Sequence, residues 1–377
     1  MKTKFRDGKV WLMIQGMRVG LALVLFGFAC VASATTVTMD TESAKAVLAA
    51  LGDPALTHEA ALKVAAMAGN QGIIRKSKEF KIPATTENFA DALYDAAHGV
   101  RAKDDTEKSY FFETVKGKAP QLTALIGQME GDPVGFQQAI EKRIALYSPA
   151  GLDVHLQGYV VAGGDGGGYA FSGTDFYLNV GWIDELIVAR SVTTHELYHA
   201  VQGAFAKERG AHDELPSLDG LSHAQQVCMK ELQLFGNLYE EGSAVEVEDV
   251  SLLDNAKSDA GIRQRVDLKD GVRQVRMSAR LLEMSVLSFE AANAMTYDDV
   301  YKVDFLGHGI LYNVGYVMAK AIVDAYGPPG LAAYLKLPPE QFVLGYIKLP
   351  LYGKDEAHPL LLPNTIAAAQ RQGAGCK

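Results

Sequence analysis

Cysteine is scarce in this chain: three residues, Cys30, Cys228 and Cys376, among 377. None belongs to a C-x-x-C pair, which removes a thiolate zinc site and a redox dithiol from consideration. So few cysteines do not make a disulfide scaffold either, and whether Cys228 and Cys376 pair is left open. A surplus of positive charge is also missing. There are 45 acidic and 36 basic residues, a formal net charge of −9. That balance argues against nucleic acid or an anionic membrane surface as partner. Phosphate-binding signatures are absent too. The glycine-rich stretch Gly163-Gly164-Asp165-Gly166-Gly167-Gly168 contains no G-K-[ST] and fits no G-x-G-x-x-G register.

The first 34 residues read as a processing segment. Lys2, Lys4, Arg6, Lys9 and Arg18 form a basic leader, Val19 to Val31 is apolar, and Ala32-Ser33-Ala34 is an A-x-A cleavage site. The apolar part is too short for a comfortable membrane span. Cleavage after Ala34 is favoured over lipidation at Cys30, because Gly27-Phe28-Ala29 places a bulky ring where a small residue is wanted. Losing residues 1–34 removes five basic and one acidic residue, so the net charge moves from −9 to −13. The expected location is periplasmic or secreted, with no membrane span in the mature chain.

What is present is the stretch Thr193 to Gln202, which contains H-E-x-x-H. On a helix, His195 and His199 lie four apart and face one way, so both imidazoles can hold one Zn2+ ion. Glu196 is about 100° further round the helix. Its carboxylate therefore stands beside the metal, within reach of a bound water, as a general base. Apolar Trp182 to Val192 leads into the motif. Leu197, Val201, Ala204 and Phe205 fall on the opposite face, and Gly210 offers a stop.

The rest of the chain divides in three: residues 1–34, a helical lobe over 35–147 and a catalytic region over 148–377. Helical spacing predicts Thr41–Leu51, His58–Ala68, Thr86–His98, Asp105–Lys116, Pro120–Met129 and Pro133–Tyr147. Val154–Ala162 and Asp175–Val180 read as strands. The glycines between them suit a hairpin connection or a mobile flap over the cleft. Asp175–Val180 is expected to be an edge strand able to pair with an extended substrate.

A third zinc ligand is expected on a helix from Ala224 to about Glu248, where Glu240 and Glu241 are the candidates. Glu246, Glu248 and Asp249 suit a solvated face, or one of them braces a histidine. Arg263, Arg265, Arg273, Arg276 and Arg280 suit a solvated face, partners for the acidic helix, or a substrate carboxylate. A last helix, Asp304 to Tyr326, offers hydrogen-bond donors to an oxyanion, ranked Tyr316, Tyr312, His308. Two short helices and a proline-broken tail follow.

With H-E-x-x-H followed by Glu241-Gly242-Ser243-Ala244, the chain resembles the gluzincin zinc metallopeptidases. That resemblance implies a mainly α fold with a small β-sheet (α+β, zincin-like), zinc, a peptide or protein substrate, and Glu241 as third ligand. Asp175 to Tyr346 is also similar to secreted bacterial zinc peptidases of unassigned substrate, whose later helix resembles Tyr312-Asn313-Val314-Gly315-Tyr316. The interval from His199 to Glu241 is about twice that of the gluzincins, and no G-A-M-E-N signature is present. A non-catalytic zinc-binding protein, or a helical interaction protein of the periplasm, is the alternative.

Overall fold

The computed structural model describes residues 35–171, 173–208, 215–291 and 293–375. The leader, Cys30, Gly210 and Cys376 lie outside them. The chain opens with strand β1 (Thr36–Asp40), then helices α1 (Glu42–Leu51), α2 (His58–Ala65), α3 (Ala68–Glu79), α4 (Thr86–Ala97), α5 (Asp105–Lys108), α6 (Phe112–Gly131) and α7 (Gln137–Leu146). Strands β2 (His155–Val161), β3 (Gly168–Ala170) and β4 (Asp175–Asn179) come next. They are followed by α8 (Leu186–Glu208), α9 (His223–Val247), α10 (Asp259–Arg273), α11 (Val275–Glu290), α12 (Tyr297–Tyr301), α13 (Ile310–Ala332), α14 (Glu340–Tyr346) and α15 (Pro363–Gly373). The fold is mainly α with one small sheet, and the described residues form one compact unit. Among the described residues, no helix is long and apolar enough to cross a membrane.

The sheet has the order β1-β2-β4-β3. β1 runs parallel to β2 (Thr36 opposite His155) and β2 parallel to β4 (Gln157 opposite Asp175). β3 is antiparallel to β4, with Gly168 opposite Leu178. Three expectations are corrected here. The stretch between β2 and β4 is no hairpin, because parallel strands need a crossover. β4 is interior, and β3, inside the expected loop, is an edge, as is β1. β1 was missed: five residues bounded by helical sequence carry too short a period-2 signal. It joins the N-terminal stretch to the sheet of the later region. The glycine run is pinned at its start. Buried Asn179 donates to the carbonyls of Gly163 (2.8 Å) and Gly164 (3.1 Å), and the Trp182 indole also donates to Gly164.

The helix boundaries differ at instructive places. The expected helix 58–68 breaks after Ala65, where Asn70 donates to the carbonyl of Val64, and α3 begins. α6 runs through Pro120, joining two expected helices. α10 continues through Asp270-Gly271, and glycine there lets α10 press on α13. A Cβ at 271 would lie 2.0 Å from Asn313 Oδ1. α13 begins at Ile310 after Gly309 (φ +58°), so His308 is not part of it. The proline-broken tail forms α15. Its first N–H groups, at Asn364 and Thr365, donate to Glu283 of α11, which caps a helix that has Pro363 in its first turn.

One crossing fixes the site. α9 and α13 touch backbone to backbone at Gly242 and Gly315. A Cβ on Gly242 would stand 2.1 Å from the carbonyl carbon of Gly315, and one on Gly315 would stand 2.3 Å from the Leu238 oxygen. Only glycine at both positions permits that approach. The glycines of Glu241-Gly242 and Val314-Gly315 therefore place the Glu241 and Tyr312 turns together.

Candidate metal centre

α8 is buried on the side opposite its histidines, with Leu197, Tyr198 and Val201 at zero exposure. This apolar anchoring turns His195 and His199 toward α9. Their Nε2 atoms lie 3.1 Å apart. Glu241 Oε2 lies 3.5 Å from the first and 3.6 Å from the second. Ligand atoms 2.0–2.1 Å from a tetrahedral ion stand about 3.3 Å from one another, so the triangle has the size that zinc requires. It is the one trio of potential metal ligands this close among the described residues.

The donor chemistry makes the same point. His195 Nδ1 is 2.9 Å from Glu248 Oε2. A carboxylate accepts, so Nδ1 carries the hydrogen and Nε2 presents a lone pair when the ring is neutral. His199 Nδ1 is 2.7 Å from Gln202 Oε1, an acceptor, with the same consequence. Two lone pairs and the buried Glu241 Oε2, which receives no hydrogen bond, then face one point. Such a set calls for a cation. Burial opposes charge on His195, yet Glu241 and Glu248 hold its pKa well above the ordinary value. Burial likewise opposes charge on Glu241, yet His199 and His195 draw its pKa down to about 2. The field that would retain a proton here would retain a divalent ion. The residues fit zinc.

Glu196 lines the cleft without joining the trio. It is the meeting point of two cavities, of about 790 and 740 Å³, which share Gly168, His195, Glu196 and Tyr312. The first is walled by Val192, Leu268, Met277 and Leu281, with Arg263 and His308. The second is walled by Tyr169, Tyr297, Tyr301 and Phe305. Gly168 brings edge strand β3 onto the motif, since a Cβ there would be 2.9 Å from Glu196 Cγ.

The donor ranking is reordered. Tyr312 lies beside the trio, its ring centroid 6.2 Å from that of His195. Burial, then Glu241 and Glu196, push its pKa well above 10, so it keeps its proton. Tyr316, ranked first, lines a separate cavity with Val250, Arg265 and Lys320. Four residues advance a helix by about 6 Å and 40°. Past the Gly315 crossing, Tyr316 therefore sits over the Glu246–Glu248 end of α9 and not over Glu241. His308 is exposed at the rim, off the helix. Of the arginines, only Arg263 lines the cleft. Arg265 donates to the carbonyls of Leu253 and Asp254, Arg273 pairs with Asp270, and Arg276 lies 3.8 Å from Glu356. Cys228 is disulfide-bonded.

Gln202 and Glu248 carry the supporting contacts. The motif offers a faint signal for Gln202, three residues past His199 on the same face. Glu248 was one of three acids read as a possible brace, and 53 residues of sequence separation hid the choice.

Residues 62–352 match the model of a protein family described as "Putative zinc dependent peptidase (DUF5700)". The chain belongs to this family. The match begins inside α2 and ends beyond α14, so it takes in helices of the N-terminal stretch as well as the trio. No curated protein and no solved structure matches the chain significantly.

Proposed function

We propose that the chain is a zinc peptidase of gluzincin type, with a zincin-like catalytic region, that acts outside the cytoplasm after removal of residues 1–34. The observation that carries this reading is the convergence of His195 Nε2, His199 Nε2 and Glu241 Oε2 at tetrahedral spacing, in a cleft that also holds Glu196 and Tyr312. His195, His199 and Glu241 would hold the zinc. Bound zinc supplies Lewis acidity, easing deprotonation of a water and polarising the scissile carbonyl. Glu196 takes the proton of the attacking water and delivers it to the leaving amine. The Tyr312 hydroxyl donates to the oxygen on which negative charge builds.

Edge strand β3 offers unpaired backbone groups to an extended substrate, taking the part first expected of β4. Cavities on both sides of Glu196 accommodate residues on both sides of the scissile bond, which favours cleavage of interior bonds. The test uses the mature protein with a library of peptides blocked at both ends. The parent should cleave them in a chelator-sensitive way. Glu196→Gln should bind zinc as the parent does and lose about 10²–10⁴-fold in rate. Zinc binding without cleavage of any peptide would leave a non-catalytic zinc protein, and full activity in Glu196→Gln would overturn the mechanism.

A further inference from the structure

We infer that Gln202 is a positioning residue whose single buried amide sets two of the three metal ligands, His199 and Glu241. The inference rests on the metal-centre reading above. Gln202 is 3 % exposed and lies at the joint of α8 and α9. Its Nε2 donates to the backbone carbonyl of Glu240 at 2.9 Å and to Ser243 Oγ at 2.7 Å. The Glu240 carbonyl can only accept, so the end of the amide facing α9 must be the NH2 group. The hydroxyl of Ser243 agrees, since it donates onward to the Tyr239 carbonyl at 2.7 Å and is left to accept from Gln202. With the amide orientation fixed, Oε1 must face His199. That leaves Nδ1 as the hydrogen-bearing nitrogen of His199 and Nε2 as the one turned to the centre.

The same amide reaches the residue adjoining Glu241. A carbonyl held at residue 240 fixes the turn of α9 from which the Glu241 side chain departs. Orientation of one ligand and placement of another thus depend on one side chain. His195 is held differently, by the carboxylate of Glu248, and does not share this dependence. Partners of ligating imidazoles typically matter about 10–100-fold in metal affinity.

The experiment measures zinc affinity of the mature protein by competition with a chelator. The parent is compared with Gln202→Met, which keeps size and burial and removes both ends of the clamp. Val47→Ala, fully buried in α1, is the control for destabilisation without a polar change. Gln202→Met should bind zinc about 10–100-fold more weakly. Val47→Ala should lower the melting temperature of the metal-free protein and leave the affinity unchanged. Parent-like affinity in Gln202→Met, or an equal loss in Val47→Ala, overturns the inference.

Should Gln202→Met fail to fold, the parent itself decides. Nitrogen-15 NMR of the metal-free chain, at a pH alkaline enough to keep imidazoles neutral, reads the His199 tautomer. The signal is assigned by its loss in His199→Gln. Hydrogen on Nδ1 supports the clamp, and hydrogen on Nε2 overturns it. A parent that binds no zinc defeats the metal-centre reading, and the tautomer then tests the clamp alone.

Discussion

Helices α8 and α9 are joined at the candidate centre by directed hydrogen bonds, His195 to Glu248 and Gln202 to the Glu240 carbonyl and Ser243. The stretch 297–312, which lines the same cleft, is assembled from rings. Tyr301 stacks on Phe305 at 4.9 Å and Phe305 meets Tyr312 at 5.1 Å. Beneath them Asp304 is fully buried, its Oδ1 2.9 Å from Ser285 Oγ and its Oδ2 without a partner. Hydrogen bonds fix angle as well as distance, and a metal centre tolerates little error in either. Ring contacts fix area more than angle, which suits a wall that meets substrate. The two regions should therefore respond differently to substitution.

Tyr312 stands where the two meet, and Tyr312→Phe sharpens the contrast most. Peptide hydrolysis should lose about 10²–10³-fold in kcat while zinc affinity holds. Tyr316→Phe should stay near parent activity, since that ring lines another cavity. Equal losses in the two variants would return the donor role to the original ranking.

Gly315→Ala comes next. The new methyl meets the Leu238 carbonyl at 2.3 Å, backbone that cannot swing aside. Overpacking of this kind costs about 3 kcal/mol, read in the denaturation midpoint, and zinc affinity should fall with it. An alanine variant as stable as the parent would mean that the α9–α13 crossing does not set the site.

Asp304 gives an effect confined to one pH range. Burial lifts its pKa to about 7 from an ordinary value of 3.8. Between those values the folded state holds a proton that the unfolded state has released. The stabilising contribution is therefore full below about pH 4 and is lost as pH rises through about 7, at no more than about 1.4 kcal/mol per pH unit. Asp304→Asn should flatten this slope between pH 5 and 7. An unchanged slope in unfolding titrations would show that Asp304 ionises in the folded state as freely as in water. The stacked wall would then not be the pH-sensitive half of the cleft.

How much of this was legible from the sequence differs by element. The helix carrying His195, Glu196 and His199 was read almost to its ends, and α9 was placed to within a residue or two. Each runs for more than five turns, and the His-Glu-His spacing needs only helix geometry. β1 and β3, of five and three residues, were not read, because strands that short gain their identity from partners. β2 and β4 were recognised as strands but misread as a hairpin, since period-2 sequence carries no information on parallel or antiparallel pairing.

By itself, then, the sequence determined what local repetition can encode: a mainly helical chain with a little sheet, the facing of two histidines, and glutamates on a following helix as the candidates for a third ligand. Tertiary structure alone decided which glutamate turns inward, that Tyr312 and not Tyr316 shares the cleft, that Glu248 and Gln202 stand behind the two imidazoles, and that β3 is an edge. The choice between Tyr312 and Tyr316 depends on where α9 and α13 cross. That crossing is set by the close approach of Gly242 and Gly315, 73 positions apart in the chain, a distance over which no sequence period extends.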